Sequence, residues 1–123
     1  WLVWDKRDES EPDNNGDAEL IWTNIDGVVR TYRQCWRGVA RSKDYLEPKV
    51  HVHPTQKPVN LMMWLIEKYT KPGDLVLDPY MGSGPVAKAC KLLERRYVGV
   101  EIEQEYCDVA VDRLRQQILF PLT

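Results

Sequence analysis

Leu75-Val76-Leu77-Asp78-Pro79-Tyr80-Met81-Gly82-Ser83-Gly84-Pro85 is the stretch that decides how this chain folds. A short apolar run leads into a turn with two glycines. A segment apolar at helical spacing follows, with Val86, Ala89, Cys90 and Leu93 on one face. This order predicts strand, tight turn, then helix. Gly82 and Gly84 reach backbone conformations closed to other residues and let a ligand come close to the main chain. Pro85 suits the first helical position, where a missing N–H costs little. The free N–H groups of such a helix start favour an anionic ligand group.

A second signal lies downstream. Glu101 ends another apolar run, Tyr97-Val98-Gly99-Val100. An acid about 20 positions beyond a Gly-rich turn is where a nucleoside-binding βαβ unit places its acceptor for ribose hydroxyls. Taken alone, Glu101 is equally well a solvated acid at a strand end; the turn before it makes the ligand reading the stronger. The turn has no Gly-Lys-Ser/Thr ending, which excludes a phosphate loop. Ala87 stands at the third position of a Gly-x-Gly-x-x-Gly pattern, a replacement that some dinucleotide sites use. On this stretch alone a dinucleotide fold therefore stays open.

Composition bounds the rest. A chain of 123 residues suits one domain with a modest core, and 43% apolar content argues against disorder. No apolar run approaches membrane-spanning length and no signal peptide is visible. Cys35, Cys90 and Cys107 are odd in number and lack metal-type spacing, which fits buried thiols in a reducing cytoplasm. His51 and His53 have no further ligand nearby in sequence, so no metal site is expected. A net charge of −2 lends no global support to nucleic-acid binding; only a local patch could supply it.

Trp1-Leu2-Val3-Trp4 reads as a buried strand that enters from sequence outside the chain, and its neighbouring strand is expected there too, leaving an unpaired edge. Asp8 to Asp17 forms an acidic loop with Pro12 and Asn15-Gly16. Ala18 to Thr23 is a second strand. Asp26-Gly27 signals a hairpin, with Val28 to Tyr32 returning. Arg30, Arg33, Arg37, Arg41 and Lys43 follow without an intervening acid, interleaved with Tyr32, Trp36 and Tyr45. Such a mixture binds phosphates through guanidinium groups and stacks bases on rings. A solvated basic loop balancing the acidic one explains the spacing equally well. Val59, Met62, Met63 and Ile66 predict a helix entered at Pro58, with the Met pair filling core. Lys71-Pro72-Gly73-Asp74 ends it. Cys107, Val111, Leu114 and Ile118 form the apolar face of a last helix, and Pro121 closes the chain.

Two motifs together resemble the β-arranged amino-group DNA methyltransferases, enzymes that use S-adenosylmethionine to methylate adenine N6 or cytosine N4. Asp78-Pro79-Tyr80-Met81-Gly82-Ser83-Gly84 is similar to their Asp-Pro-Phe-x-Gly-Ser-Gly turn. His53-Pro54-Thr55-Gln56-Lys57-Pro58, the more specific element, resembles the motif that opens their cofactor site. Val100-Glu101-Ile102 with Tyr106 looks like their acidic second strand. Trp1 to Lys6 and Ala18-Glu19-Leu20 are similar to segments after their catalytic motif, so the resemblance spans essentially the whole chain. It removes most of the weight from the dinucleotide reading.

The resemblance implies an α/β, partial Rossmann-like methyltransferase fold with an N-terminal strand and hairpin. Residues 1–50 would be the end of a catalytic and target-recognition region, and 51–123 the S-adenosylmethionine-binding region. It implies a cofactor set of His53, Thr55, Gln56, Lys57, Asp78, Pro79, Met81, Gly82, Ser83, Gly84, Glu101 and Ile102. Within it, Thr55 and Lys57 face the methionine carboxylate and Asp78 helps hold the amino-acid end. The Gly turn lies against the methionine moiety, Glu101 takes the ribose hydroxyls and Ile102 packs on adenine. Double-stranded DNA is the implied partner, with Arg33, Trp36, Arg37, Arg41 and Lys43 as candidate contacts. Tyr80 for Phe and Pro85 for Thr are mild departures. The large one is that no Asp/Asn/Ser-Pro-Pro-aromatic catalytic motif occurs in these residues. It is expected upstream of Trp1, so the fragment alone is expected to be inactive and to pair with that upstream half or with itself. A methyltransferase acting on RNA or another substrate and a non-catalytic S-adenosylmethionine-binding or interaction module are the alternatives. No residue separates adenine from cytosine, or a restriction-linked setting from a phage or regulatory one.

Overall fold

A computed structural model describes residues 1–7, 16–37, 40–41 and 56–115. The chain forms two compact units, Trp1–Tyr45 and Leu46–Thr123.

In the first unit, β1 (Leu2–Asp5), β2 (Ala18–Ile21) and β3 (Arg30–Arg33) form one sheet in the order β2-β1-β3. β1 runs antiparallel to β2, with Leu2 opposite Ile21, and parallel to β3, with Leu2 opposite Arg30. Two expectations fail here. The segments around 18 and 32 do not pair as a hairpin, because β1 lies between them. Nor is β1 an unpaired edge, since it is bonded on both sides. The reason lies in burial and reach. Leu2 and Trp4 are the most buried side chains of the sheet, and the central position satisfies the backbone of such a strand on both sides. β2 stops at Ile21 and β3 starts at Arg30, too far from Asp26-Gly27 for a two-residue turn. The local turn instead involves Thr23, whose Oγ1 accepts the Ile25 N–H at 3.1 Å.

The sheet is tied further by Trp4, whose Nε1 donates to the Gln34 carbonyl at 3.2 Å. Lys6–Glu19 at 3.0 Å and Arg33–Asp5 at 2.8 Å are ion pairs across neighbouring strands. β4 (Trp36–Arg37) and β5 (Ala40–Arg41) form a short antiparallel ribbon.

The second unit is a βαβ arrangement preceded by a helix. α1 spans Val59–Tyr69, β6 Leu75–Asp78, α2 Pro85–Leu92, β7 Arg96–Gly99 and α3 Gln104–Arg115. β6 and β7 are parallel, with Leu75 opposite Arg96 and Asp78 opposite Gly99, as a helical crossover requires. Val59 and Ile66 of α1 meet Ala89 and Cys90 of α2 in a core flanked by Met62, Met63, Val76, Val86 and Leu93. The Met pair thus fills core. Burial raises the Cys90 thiol above its ordinary value, and nearby Arg95 only partly opposes this. On the other sheet face Leu75, Leu77 and Val98 are exposed.

The ends of β6 and β7 are held differently. At the amino ends, the Gly73 N–H donates to the Glu94 carbonyl at 2.9 Å and the Arg96 N–H to the Asp74 carbonyl at 2.8 Å. Arg95 reaches back to α1, donating to Thr70 through Nε and Nη2, both at 3.0 Å. α2 ends in a Schellman-type cap, with the Arg95 N–H on the Cys90 carbonyl at 2.8 Å. The left-handed position of that cap holds Glu94, at φ 58°, where glycine is usual.

α3 differs from its predicted face. Ala110 and Arg113 are its buried residues, while Val111 is exposed and Cys107 and Leu114 lie at the margin. Ile118 lies outside the described residues. The small Ala110 lets the helix come against Gly84: a Cβ there would lie 2.9 Å from the Ala110 Cβ. That contact sets which face turns inward. No helix among the described residues is long and apolar enough to cross a membrane.

Candidate functional site

The site is built at the carboxyl ends of β6 and β7. Leaving β6, the chain passes Pro79 and Tyr80 and turns at Met81–Gly84, where the Gly84 N–H donates to the Met81 carbonyl at 3.0 Å. Gly82 and Gly84 both have positive φ, 53° and 79°, a conformation that costs an L side chain energy. Pro85 is the first residue of α2, as the sequence predicts.

Three hydrogen bonds fasten this turn to the segment after β7. The Met81 N–H donates to the Val100 carbonyl at 2.8 Å and the Val100 N–H to the Asp78 carbonyl at 2.9 Å. The Gly82 N–H donates to Glu101 Oε2 at 2.7 Å. Glu101 Oε1 accepts the Glu103 N–H at 3.0 Å. The acid and the glycine turn, far apart in sequence, therefore share a charge-assisted bond. The amino end of α2 has no side-chain cap and no acid in its first turn, so its leading N–H groups keep their preference for a negative group.

The other predicted cofactor residues distribute as follows. Asp78 Oδ1 accepts the Tyr80 N–H at 3.2 Å, shaping the exit from β6. Pro79 is exposed, and Ser83 is buried beneath the turn. Met81 lies across Gly99, where an added Cβ would collide with the Met81 thioether. Tyr80 and Ile102, 90% and 93% exposed, are apolar side chains presented just beyond the two strand ends. Gln56 is buried and Lys57 half-buried immediately before α1. His53 and Thr55 lie outside the described residues.

Among the candidate DNA contacts, Arg33 is 75% exposed while its Nε holds Asp5. Arg37 lies on β4 and Arg41 on β5, and Lys43 falls outside the described residues. Trp36 departs from its expected role. It is 8% exposed, so its ring is core and offers no face to a base. No group of His, Cys, Asp or Glu among the described residues is arranged to hold a metal ion.

Two residues of the site escaped the sequence reading. In sequence Gly99 stands only as part of an apolar run, although a lone glycine in a strand signals a close approach. Arg113 carries no role in the sequence reading. It is 5% exposed, and its Nη1 donates to the Ser83 carbonyl at 2.7 Å and to Ser83 Oγ at 2.8 Å. Its three-residue spacing from the small Ala110 was the available signal, since such positions share a helix face.

Known proteins resemble this chain in both sequence and structure. It is 32% identical over 116 residues to the type II methyltransferase M2.DpnII of Streptococcus pneumoniae, covering 94% of this chain and 42% of that protein. It is 46% identical over 79 residues to the type II methyltransferase M.HinfI of Haemophilus influenzae, covering 64% of this chain and 21% of that protein. The crystal structure of the M1.HpyAVI-SAM complex matches with a TM-score of 0.57 and 35% identity, covering 78% of this chain and 43% of that one. The chain thus spans less than half the length of these relatives. The DNA methylase family model, of the N6/N4 methyltransferase type, matches residues 3–112. Because that match takes in nearly the whole sequence, with both strand-end motifs inside it, this chain belongs to the N6/N4 DNA methylase family.

Proposed function

We propose that the protein carrying this chain transfers a methyl group from S-adenosylmethionine to an exocyclic amine of DNA, adenine N6 or cytosine N4, and that this chain supplies the cofactor pocket. The observation that carries the reading is the 2.7 Å bond from Gly82 to Glu101. It joins a glycine turn and an acid at the carboxyl ends of adjacent parallel strands, where open α/β sheets bind ligands.

The residues fit this cofactor. A carboxylate offers about four acceptor positions, so amide bonds at both Glu101 oxygens are compatible with ribose hydroxyls as further donors. The uncapped start of α2 suits a carboxylate better than an extended pyrophosphate, since the turn lacks a phosphate-binding lysine. Ile102 and Tyr80 offer apolar surface to a flat base. Lys57, with Thr55 two residues before it in sequence, supplies a cation for the methionine carboxylate, and Asp78 an acceptor for its ammonium group. The bound cofactor supplies the electrophilic methyl group. The chain's own part is to hold that cofactor while the acceptor nitrogen is placed in line with it. An element placing a flipped base belongs to the rest of the protein or to a second copy, and the reaction takes place in the cytoplasm.

Calorimetric titration of the full-length protein with S-adenosylmethionine tests the reading, alongside transfer of labelled methyl to mixed-sequence DNA. Glu101→Ala should weaken cofactor binding by about 1.5–3 kcal/mol, the scale for hydrogen bonds to a charged acceptor. Unchanged affinity would remove Glu101 from the pocket. Binding without transfer to any DNA would favour a non-catalytic module, and transfer to RNA alone would change the substrate.

A further inference from the structure

We infer that Arg113 is a positioning residue for the methionine end of the cofactor, acting through Ser83. The inference rests on the S-adenosylmethionine reading above and adds to it a residue from α3.

A guanidinium buried to this degree loses most of its hydration, which is costly unless its N–H groups are well used. If the position needed only bulk, an apolar side chain of similar length would pack there without that cost. What Arg113 does instead is specific. One nitrogen, Nη1, binds both the carbonyl and the hydroxyl of Ser83, itself among the most buried side chains. Ser83 is the residue between the two positive-φ glycines.

Glycines give the turn its shape and also its freedom, because Gly is the residue least restricted in φ and ψ. A turn with glycine on both sides of one serine can rotate its peptide planes cheaply. Here the peptide linking Ser83 to Gly84 is held at both ends. Its oxygen accepts from Arg113 and its N–H donates to the Met81 carbonyl at 3.0 Å. It cannot flip without breaking a charged hydrogen bond. The Ala110–Gly84 contact, one helical turn before Arg113, holds α3 at the distance from which the guanidinium reaches Ser83. The turn is thereby fixed before ligand arrives, and binding need not supply the ordering cost.

Placement at the Gly turn predicts which part of the ligand is affected. Glu101 serves the ribose in the proposed pocket, whereas the turn faces the amino-acid end. Titration of the full-length protein with S-adenosylmethionine and with 5′-methylthioadenosine, which lacks the amino-acid end, separates the two. Arg113→Met should weaken S-adenosylmethionine roughly ten- to hundredfold, the range for losing hydrogen bonds to a charged group. It should leave 5′-methylthioadenosine within about twofold, since only the Ser83 side of the pocket loses its support. Arg113→Lys keeps the charge and a donor and should recover part of the loss. If Arg113→Met does not fold, Arg113→Lys carries the test through the same split between ligands. Equal losses for both ligands would reduce Arg113 to general packing and overturn the inference, as would no loss for either. Failure of the unmodified protein to bind S-adenosylmethionine would refute the proposed function instead.

Discussion

Gly84→Ala is the sharpest probe of how the turn is held against α3. Two separate costs follow from the structure. The first is conformational: Gly84 has φ 79°, and a left-handed backbone costs an L residue roughly 1–2 kcal/mol. The second is steric: the new Cβ would stand 2.9 Å from the Ala110 Cβ and 3.5 Å from its Cα. The obstacle is thus the body of α3 and not a flexible tip, and forced overpacking of this kind costs about 1–3 kcal/mol. Together the loss should be roughly 2–5 kcal/mol in urea unfolding of the full-length protein. A double-mutant cycle separates the parts. Ala110→Gly alone should cost about 1 kcal/mol for glycine inside a helix, but it removes the atom that Gly84→Ala would strike. The pair should therefore be less destabilised than the sum of the singles by about 1–3 kcal/mol, with the backbone cost persisting. A Gly84→Ala loss below about 0.5 kcal/mol, or additive effects in the cycle, would refute the close approach of α3 to the turn.

Three further outcomes follow from other features. Glu94→Gly should raise stability by about 0.5–1 kcal/mol in thermal or urea unfolding, since Glu94 occupies the left-handed cap position that glycine adopts without a Cβ penalty. Asp5 titrates below its ordinary value of 3.8, first because its carboxylate accepts the Arg7 backbone N–H and then because of Arg33. Its contribution is therefore complete above that value and is lost as pH falls through the lower folded value. Asp5→Asn should flatten the acid limb of a pH–stability curve and leave its shape near neutrality unchanged. Replacing Arg33, Arg37 and Arg41 with Ala in the full-length protein should lower the salt slope of DNA binding by roughly one unit per lost phosphate contact; identical slopes would return this stretch to a solvated surface.

The local geometry of the candidate site is legible in the sequence. A positive-φ glycine, a proline at a helix start and an acid after a second apolar run each leave a mark at a fixed offset, and the βαβ crossover carries those marks to one place. Strand order in the first unit leaves no such mark. Asp26-Gly27 has the composition of a hairpin turn, but the bend falls nearer Thr23, and whether Leu20 and Tyr32 lie side by side depends on where Leu2 and Trp4 go, a long-range outcome of burial. Trp36 illustrates the same limit. Interleaved with arginines it reads as a stacking platform, and only the packing of its unit shows the ring inside. Arg113 was missed because a cation on an amphipathic helix is normally assigned to solvent; its place beside Ser83 depends on Ala110 drawing the helix in.

Thr70, Gly73, Glu94 and Arg95 are knotted together at the amino ends of β6 and β7, while Gly82, Ser83 and Glu101 gather at the carboxyl ends. The strands between them act as a spacer, so wear at one pole need not reach the other. Random substitution should therefore leave two populations of damaged variants. Those altered at the amino pole would be fragile yet competent, rescued by cooling. Those altered at the carboxyl pole, at positions other than Gly84 where an added Cβ strikes α3, would be well folded but indifferent to ligand at any temperature. A lineage under pressure to survive heat has the first pole to adjust, and one drifting toward a new ligand has the second.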